Sequence, residues 1–372
     1  MIKRLVENKI KSSINQGKAI ILLGARQTGK TTLLHQLFDN HQVLWLNGDE
    51  ADVQELFKNA TSTRLKAYIG NYKTLIIDEA QLIENVGFRL KLITDQIKDV
   101  QLIATGSSAF ELRNRLNEPL TGRKWEYQLF PLSFAEMVEN HGLLQEKRLL
   151  PHRLVFGYYP DVVVNQGNEQ KILKMLSDSY LYKDILHYEG IQKPDKLLTL
   201  LQALAYQIGS QVSYNELGQT CGLDSKTVEK YVMLLEKTFV IFRLGSFSRN
   251  LRNELKFSKK IYFYDNGIRN ALISNYSAFE VRNDRGALWE NFMISERIKK
   301  LNYNDIYANS WFWRTKDQSE IDYLEEKDGQ ISAFEFKVNQ KKKATINNSF
   351  IENYNIKNID VISPENLEEF LL

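Results

Sequence analysis

The eight residues "GARQTGKT" at 24–31 constrain this chain more than any other feature, because they follow the apolar run "AIILL" at 19–23. A short apolar run bounded by glycine reads as a buried strand, and the residues after the loop read as a helix. Gly24, Gly29, Lys30 and Thr31 fit the spacing GxxxxGK[ST] at the turn between the two. Glycines there let successive backbone amides turn toward a β-phosphate, and the helix presents its positive end to the same anion. Lys30 then reaches the β- and γ-phosphates, and the Thr31 hydroxyl is offered to Mg²⁺. The expected nucleotide contacts are Gly24, Ala25, Arg26, Gln27, Thr28, Gly29, Lys30, Thr31 and Thr32.

A second strand end supplies the acidic half of such a site. "TLIIDEA" at 74–80 is an apolar strand closing on Asp78 and Glu79. Asp78 is expected to hold magnesium through water, and Glu79 to polarise an attacking water. Apolar runs at 19–23, 43–46, 74–77, 100–104 and 125–130 alternate with helical patterns such as "NVGFRLKLITDQI". That alternation predicts a mostly parallel sheet covered on both faces. The sequence carries one phosphate loop and no second pattern of this kind, which argues against a two-lobed helicase despite "DEAQ" at 78–81.

With both motifs in order, the sequence resembles the AAA+ branch of the P-loop ATPases. "LIATGSS" at 102–108 falls where that superfamily places a sensor of the γ-phosphate, which implies Thr105 or Ser107. The same two residues read equally well as the N-cap of a following helix. "LTGRKWEYQLFPLSFAEM" at 120–137, "GYYPDVV" at 157–163, "SYLYKDIL" at 179–186 and "KIYFYDNGIRNAL" at 260–272 extend the likeness over nearly the whole chain. They are similar to a widespread prokaryotic ATPase family whose C-terminal region has no assigned function. The resemblance implies ATP and Mg²⁺ as ligands and ATP hydrolysis as the activity. It also implies that Arg123 contacts the γ-phosphate, in cis or from a neighbouring subunit of a homo-oligomer. An arginine there neutralises charge as it develops on the phosphoryl group. The bland alternative for Arg123 is a surface salt bridge.

Composition narrows the partners. Of 372 residues, 49 are Lys or Arg and 46 are Asp or Glu, so any nucleic-acid surface must be a local patch. Cys221 is the single cysteine, which excludes an internal disulfide and fits a reducing cytoplasm. The N-terminus reads as a basic amphipathic helix with Ile2, Leu5, Val6 and Ile10 along one side, and no membrane span is expected.

"SYNELGQTCGLDSKTVEKYVMLLEK" at 213–237 has the layout of a helix-turn-helix. Ser213 and Glu216 form a capping box, Gly222 makes the turn, and Ser225, Lys226, Glu229 and Lys230 are left facing out. Residues 241–260 then read as a wing, with Arg243, Arg249, Arg252, Lys256, Lys259 and Lys260 against Glu254 alone. Such a surface suits a DNA backbone or, equally, a partner protein.

Near the C-terminus, Glu335 and Lys337 of "EFK" stand two apart on a strand and share a face, while Phe334 and Phe336 point inward. Asp322 lies on an earlier strand and Glu290 on the preceding helix. In this order the four resemble the PD-(D/E)xK nuclease fold, which implies a Mg²⁺ site able to activate water against a phosphodiester.

The fold expected is α/β. A P-loop NTPase (AAA+-like) parallel sheet spans 1–130, a helical lid 131–192, a winged helix-turn-helix 193–270 and an α/β PD-(D/E)xK nuclease-like domain 271–372. The function expected is an ATPase switch or motor coupled to DNA or a partner, with nuclease activity left open between cleavage and binding alone. The alternative is an ATP-gated regulator whose C-terminal domains only bind.

Overall fold

The structure, a computed structural model, describes residues 2–38, 42–107, 119–180, 193–248, 259–314, 319–339 and 359–372, together with Ile351, Tyr354 and Ile356. It divides into two compact units: Met1–Pro131 with Lys237–Phe239, and Leu132–Glu236 with Val240–Leu372. Among the described residues no helix is long and apolar enough to cross a membrane.

The first unit is built on five strands: β1 (Ala19–Leu23), β2 (Val43–Asn47), β3 (Thr74–Asp78), β4 (Gln101–Gly106) and β5 (Lys124–Gln128). All pairings are parallel, in the order β2-β3-β4-β1-β5. β1 and β4 are buried along their whole length, as strands covered on both faces must be, which is why they read as unbroken apolar runs. Helices α1 (Glu7–Ser13), α2 (Lys30–Phe38), α3 (Ala51–Lys58), α4 (Ser62–Ile69) and α5 (Val86–Gln96) accompany the sheet. Val6 and Ile10 bury the apolar side of the N-terminal segment. Because every strand runs the same way, the loops after β1, β3 and β4 emerge at one edge, where open α/β sheets bind ligands.

The second unit begins at Leu132. α6 (Phe134–His141), α7 (Leu143–Phe156), α8 (Pro160–Val164) and α9 (Glu169–Met175) belong to the same compact unit as the C-terminal strands. α10 (Pro194–Tyr206), α11 (Tyr214–Cys221) and α12 (Ser225–Lys237) follow, then α13 (Asn266–Leu272), the 19-residue α14 (Arg285–Tyr303) and α15 (Leu367–Leu371). β6 (Gln211–Val212), β7 (Ile241–Ser246), β8 (Lys259–Phe263), β9 (Asn309–Arg314), β10 (Glu320–Lys327), β11 (Gln330–Phe336) and β12 (Ile359–Ile362) form one sheet in the order β12-β11-β10-β9-β7-β8-β6. The join is the parallel pairing of Gly245 with Trp311 and Ser246 with Phe312. A boundary at 270/271 would therefore cut α13 and leave both halves of a continuous sheet with open edges.

Buried polar side chains fix the helices onto this sheet. Asp265 caps α13 and also accepts the Tyr158 amide at 2.6 Å, while Asn270 donates to the Val155 carbonyl at 2.8 Å. Asn266 donates to the carbonyls of Leu154 and Leu288, both at 3.1 Å. "GYYPDVV" and "YDNGIRNAL" are thus two halves of one backbone-to-side-chain joint. Burial pushes the Asp265 carboxyl above its ordinary pKa, against the amides and Lys299 that favour its charge.

The joint leaves no room for a methyl group at Gly267, where a Cβ would stand 2.1 Å from the Phe156 carbonyl oxygen. Gly267→Ala is expected to lower stability by about 2–3 kcal/mol, the scale of an overpacked core. Urea unfolding of the variant beside the wild-type chain measures it.

Candidate functional site

The phosphate loop takes the conformation its composition suggests. Gly24 abuts the edge strand so closely that a Cβ would lie 2.1 Å from the Leu129 carbonyl oxygen. Gln27 and Gly29 have positive φ, 57° and 94°. Ala25 and Thr28 are buried, Arg26 is half-buried, and Thr31 and Thr32 are exposed at the start of α2. The buried Lys30 ammonium turns into the loop, donating to the carbonyls of Gly24 at 2.8 Å and Ala25 at 3.0 Å.

Asp78 gathers the surrounding elements. Its Oδ2 accepts from the Thr31 hydroxyl at 2.8 Å, and its Oδ1 accepts from the Thr105 hydroxyl and, at 3.2 Å, from the Glu79 amide. The strand order makes this possible, because β4 lies between β1 and β3 and pairs Thr105 with Leu22. Glu79 itself is left-handed (φ 48°), and its Oε2 accepts from Gln81 at 2.5 Å and from Ser107 at 3.3 Å. Gly48, after β2, donates to the Asp78 carbonyl at 2.8 Å and has no space for a side chain, since a Cβ would lie 2.5 Å from the Glu79 carbonyl oxygen. Lys30, Thr31, Asp78, Glu79 and Thr105 therefore stand together.

Arg123 does not join them. Its carbonyl accepts from Ala19, the first residue of β1, whereas the phosphate loop follows Leu23, the last. About 13 Å of strand, at ~3.3 Å per residue, separates the two levels. Arg123 pairs instead with Asp95 at 2.8 Å. The cis version of its expected role is corrected on that ground.

The second cluster lies on the seven-stranded sheet. Asp322 falls at a register shift in β10, where two residues oppose one on β9, a bulge that re-aims the side chain. Asp322 accepts the Phe336 amide at 2.8 Å and lies 3.8 Å from the Lys337 ammonium, which donates to Glu335 at 2.5 Å. Glu290 accepts from Lys260 at 2.9 Å and from the Tyr262 hydroxyl at 2.6 Å. Lys260 also pairs with Glu320 and is 2% exposed. Burial pushes Glu290 up to about 7, with Asp322 adding to the rise and Lys260 opposing it. Burial and the Asp322 charge likewise push Glu335 up to about 7. Lys260 stays protonated because Glu290, Glu320 and Asp322 outweigh its desolvation.

Asp322, Glu335 and Lys337 therefore contact one another, while Glu290 shares Lys260 with Glu320. Among the described residues no three His, Cys, Asp or Glu side chains are arranged to hold a metal ion. Lys260 and Lys337 pair with the carboxylates of this cluster. Lys260 is thereby also removed from the basic wing. Arg243 leaves it too, held by Glu236 at 2.5 Å and by the Tyr214 hydroxyl at 3.2 Å. Lys259 is half-buried, and Arg249, Arg252 and Lys256 lie outside the described residues. In the helix pair, Lys226, Glu229 and Lys230 are exposed and Ser225 half-buried.

Comparison with known proteins bears on the fold of the first unit. Residues 16–138 match the family model described as an AAA domain. Residues 147–278 and 285–367 match two domains of unknown function, DUF8612 and DUF4143. An uncharacterised protein of Haemophilus influenzae is 26% identical, over 92% of each chain. An uncharacterised protein of Methanocaldococcus jannaschii is 22% identical, over 86% of this chain and 73% of its own. A Walker-type ATPase of Pyrococcus abyssi superposes with a TM-score of 0.52 at 14% identity, over 73% of this chain and 96% of that one. The chain carries a P-loop ATPase fold.

The sequence did not point to Gln81, Gly48, Tyr262 or Glu320, and it placed Lys260 in the wing instead of beside Glu290. Gln81 stood in plain view in "DEAQ"; the others carry no local signal, since their partners lie far along the chain.

The raised Glu290 and Glu335 acids set a pH dependence. A carboxyl whose folded pKa lies above its unfolded value takes up a proton on folding, so its contribution is full below about 4.5 and is lost as pH rises through about 7. Glu290→Gln is expected to flatten the fall in stability between about pH 5 and pH 7, read from urea midpoints. An unchanged slope would contradict the burial of that carboxyl.

Proposed function

We propose that this protein is a Mg²⁺-dependent ATPase acting as a nucleotide-gated switch, whose second unit binds DNA or a partner protein without cutting it. The observation that carries the reading is the set Thr31–Asp78–Thr105 beside a Lys30 turned into the loop. The Thr31 hydroxyl and Asp78 carboxylate are hard oxygen donors suited to Mg²⁺, an ion that keeps its other positions for water and phosphate oxygens. Bound Mg·ATP supplies an electrophilic γ-phosphoryl group.

The chain's own residues do the rest. Lys30 exchanges the Gly24 and Ala25 carbonyls for phosphate oxygens, and the amides of residues 25–32 turn toward the same anion. Glu79 orients a water and accepts its proton, once its carboxylate is free of Gln81 and Ser107. Thr105, held on Asp78, reports the γ-phosphate to β4. Arg123 serves a neighbouring subunit in a homo-oligomer, because its place at the far edge of the sheet turns it away from its own loop.

For Leu132–Leu372, binding is favoured over cleavage by the lysine-paired cluster. The order of Glu290, Asp322, Glu335 and Lys337 supports a nuclease-like fold, and the α11–α12 pair supports a winged-helix-type contact. The partner-protein version draws on the internal pairing of Arg243 and Lys260, which leaves fewer cations for phosphates.

Lys30→Ala is expected to abolish Mg·ATP binding. Glu79→Gln is expected to retain binding while turnover falls by about 10²-fold or more, the scale of general-base catalysis. Undiminished turnover in both would overturn the assignment. Adding duplex DNA separates the partner classes: a raised ATPase rate supports DNA, and no response at low salt supports protein.

A further inference from the structure

Arg4 stands upstream of α1 and is 6% exposed. Its guanidinium is a fork between two distant backbone segments. Nη1 donates to the Thr28 carbonyl at 2.7 Å, and Nη2 donates to the Phe130 carbonyl at 2.7 Å. Thr28 is part of the phosphate loop, and Phe130 precedes Pro131, where the first unit ends. The two acceptors are already neighbours, since Leu129 donates to the Leu23 carbonyl at 2.7 Å.

The Thr28 carbonyl and the Gly29 amide belong to one peptide plane. A donor that fixes the direction of that carbonyl therefore fixes the direction of the Gly29 N–H, one of the amides that a β-phosphate would use. Nη1 also lies 3.6 Å from where a Cβ on Gly29 would stand, so the guanidinium sits directly against this peptide. The guanidinium is planar and its donors are rigidly spaced. A rotation of the 28–29 peptide on nucleotide binding thus alters the geometry available at Phe130, because leaving a buried charged donor unmatched is costly.

We propose that Arg4 is a positioning residue that couples occupation of the phosphate loop to the Phe130–Pro131 exit from the first unit. It rests on the nucleotide-binding reading above, and it assigns Arg4 no contact with nucleotide. Arg4→Lys keeps the charge but cannot span both carbonyls, whereas Arg4→Gln removes both.

The test is hydrogen exchange of the full chain with and without Mg·ADP, beside equilibrium binding of the same nucleotide. In the wild-type chain, nucleotide is expected to change exchange in peptides covering 24–31 and also in those covering 129–132. In Arg4→Lys the 24–31 response persists, affinity weakens roughly tenfold, about the worth of one charge-assisted hydrogen bond, and the 129–132 response disappears. Should Arg4→Gln fail to fold, Arg4→Lys carries the comparison. A wild-type-sized response at 129–132 in Arg4→Lys overturns the inference, as does faster exchange spread over β3 and β4 with that response intact. Nucleotide binding by the wild-type chain without any change at 129–132 also overturns it, and leaves the ATPase reading standing. Absence of nucleotide binding by the wild-type chain removes both.

Discussion

The site of the first unit turns on one carboxylate. Asp78 accepts hydrogen bonds from the start of α2, from the end of β4 and from its own neighbour's amide. A single acidic group thus sets the relative positions of the loop after β1 and the ends of two further strands. The arrangement depends on β4 lying between β1 and β3. Were β3 paired directly with β1, no hydroxyl would stand beside Asp78 on that side. The bond that organises this loop and the Mg²⁺ chemistry proposed for it share the same oxygen atoms.

The second unit is organised by buried polar groups. Asp265, Asn266 and Asn270 hold the 154–158 backbone, and Asn291 clasps both backbone groups of Phe263. Glu296 and Lys299 pair with each other and bond the backbone of Phe134 and Leu132. Satisfied networks of this kind specify one arrangement, since each broken bond strands a desolvated partner. Motif residues that look functional in the sequence, "GYYPD" and "YDNGIRN", are spent on assembly. The Lys260–Glu290 pair belongs to the same class of interaction.

Much of the first unit is legible in the sequence because strands buried on both faces must be apolar throughout. The runs at 19–23, 43–46 and 74–77 became β1, β2 and β3 within a residue. At Ser213 the side chain accepts the Glu216 amide, the first half of the expected box, since both partners lie within one turn. Strand alternation placed Asp322 and Glu335 correctly on neighbouring strands. What stayed hidden depends on distance along the chain. Lys260 looks like any surface lysine until Glu290 and Glu320 arrive from other elements. Arg4 gains its meaning from Thr28 and Phe130. The side of the sheet taken by Arg123 could have been read, because parallel strands send their first residues away from the loop.

The pairing of β7 with β9 has a consequence for modularity. A winged helix borrowed as a free-standing cassette carries its own closed edges, and so can be moved between proteins. Here β7 lends one edge to the C-terminal strands through Gly245 and Ser246. Recombination within 247–308 would expose unpaired backbone on both fragments, an invitation to aggregate. Neither described sheet has a strand pairing that crosses residue 131. A break there would leave every described strand paired as it is.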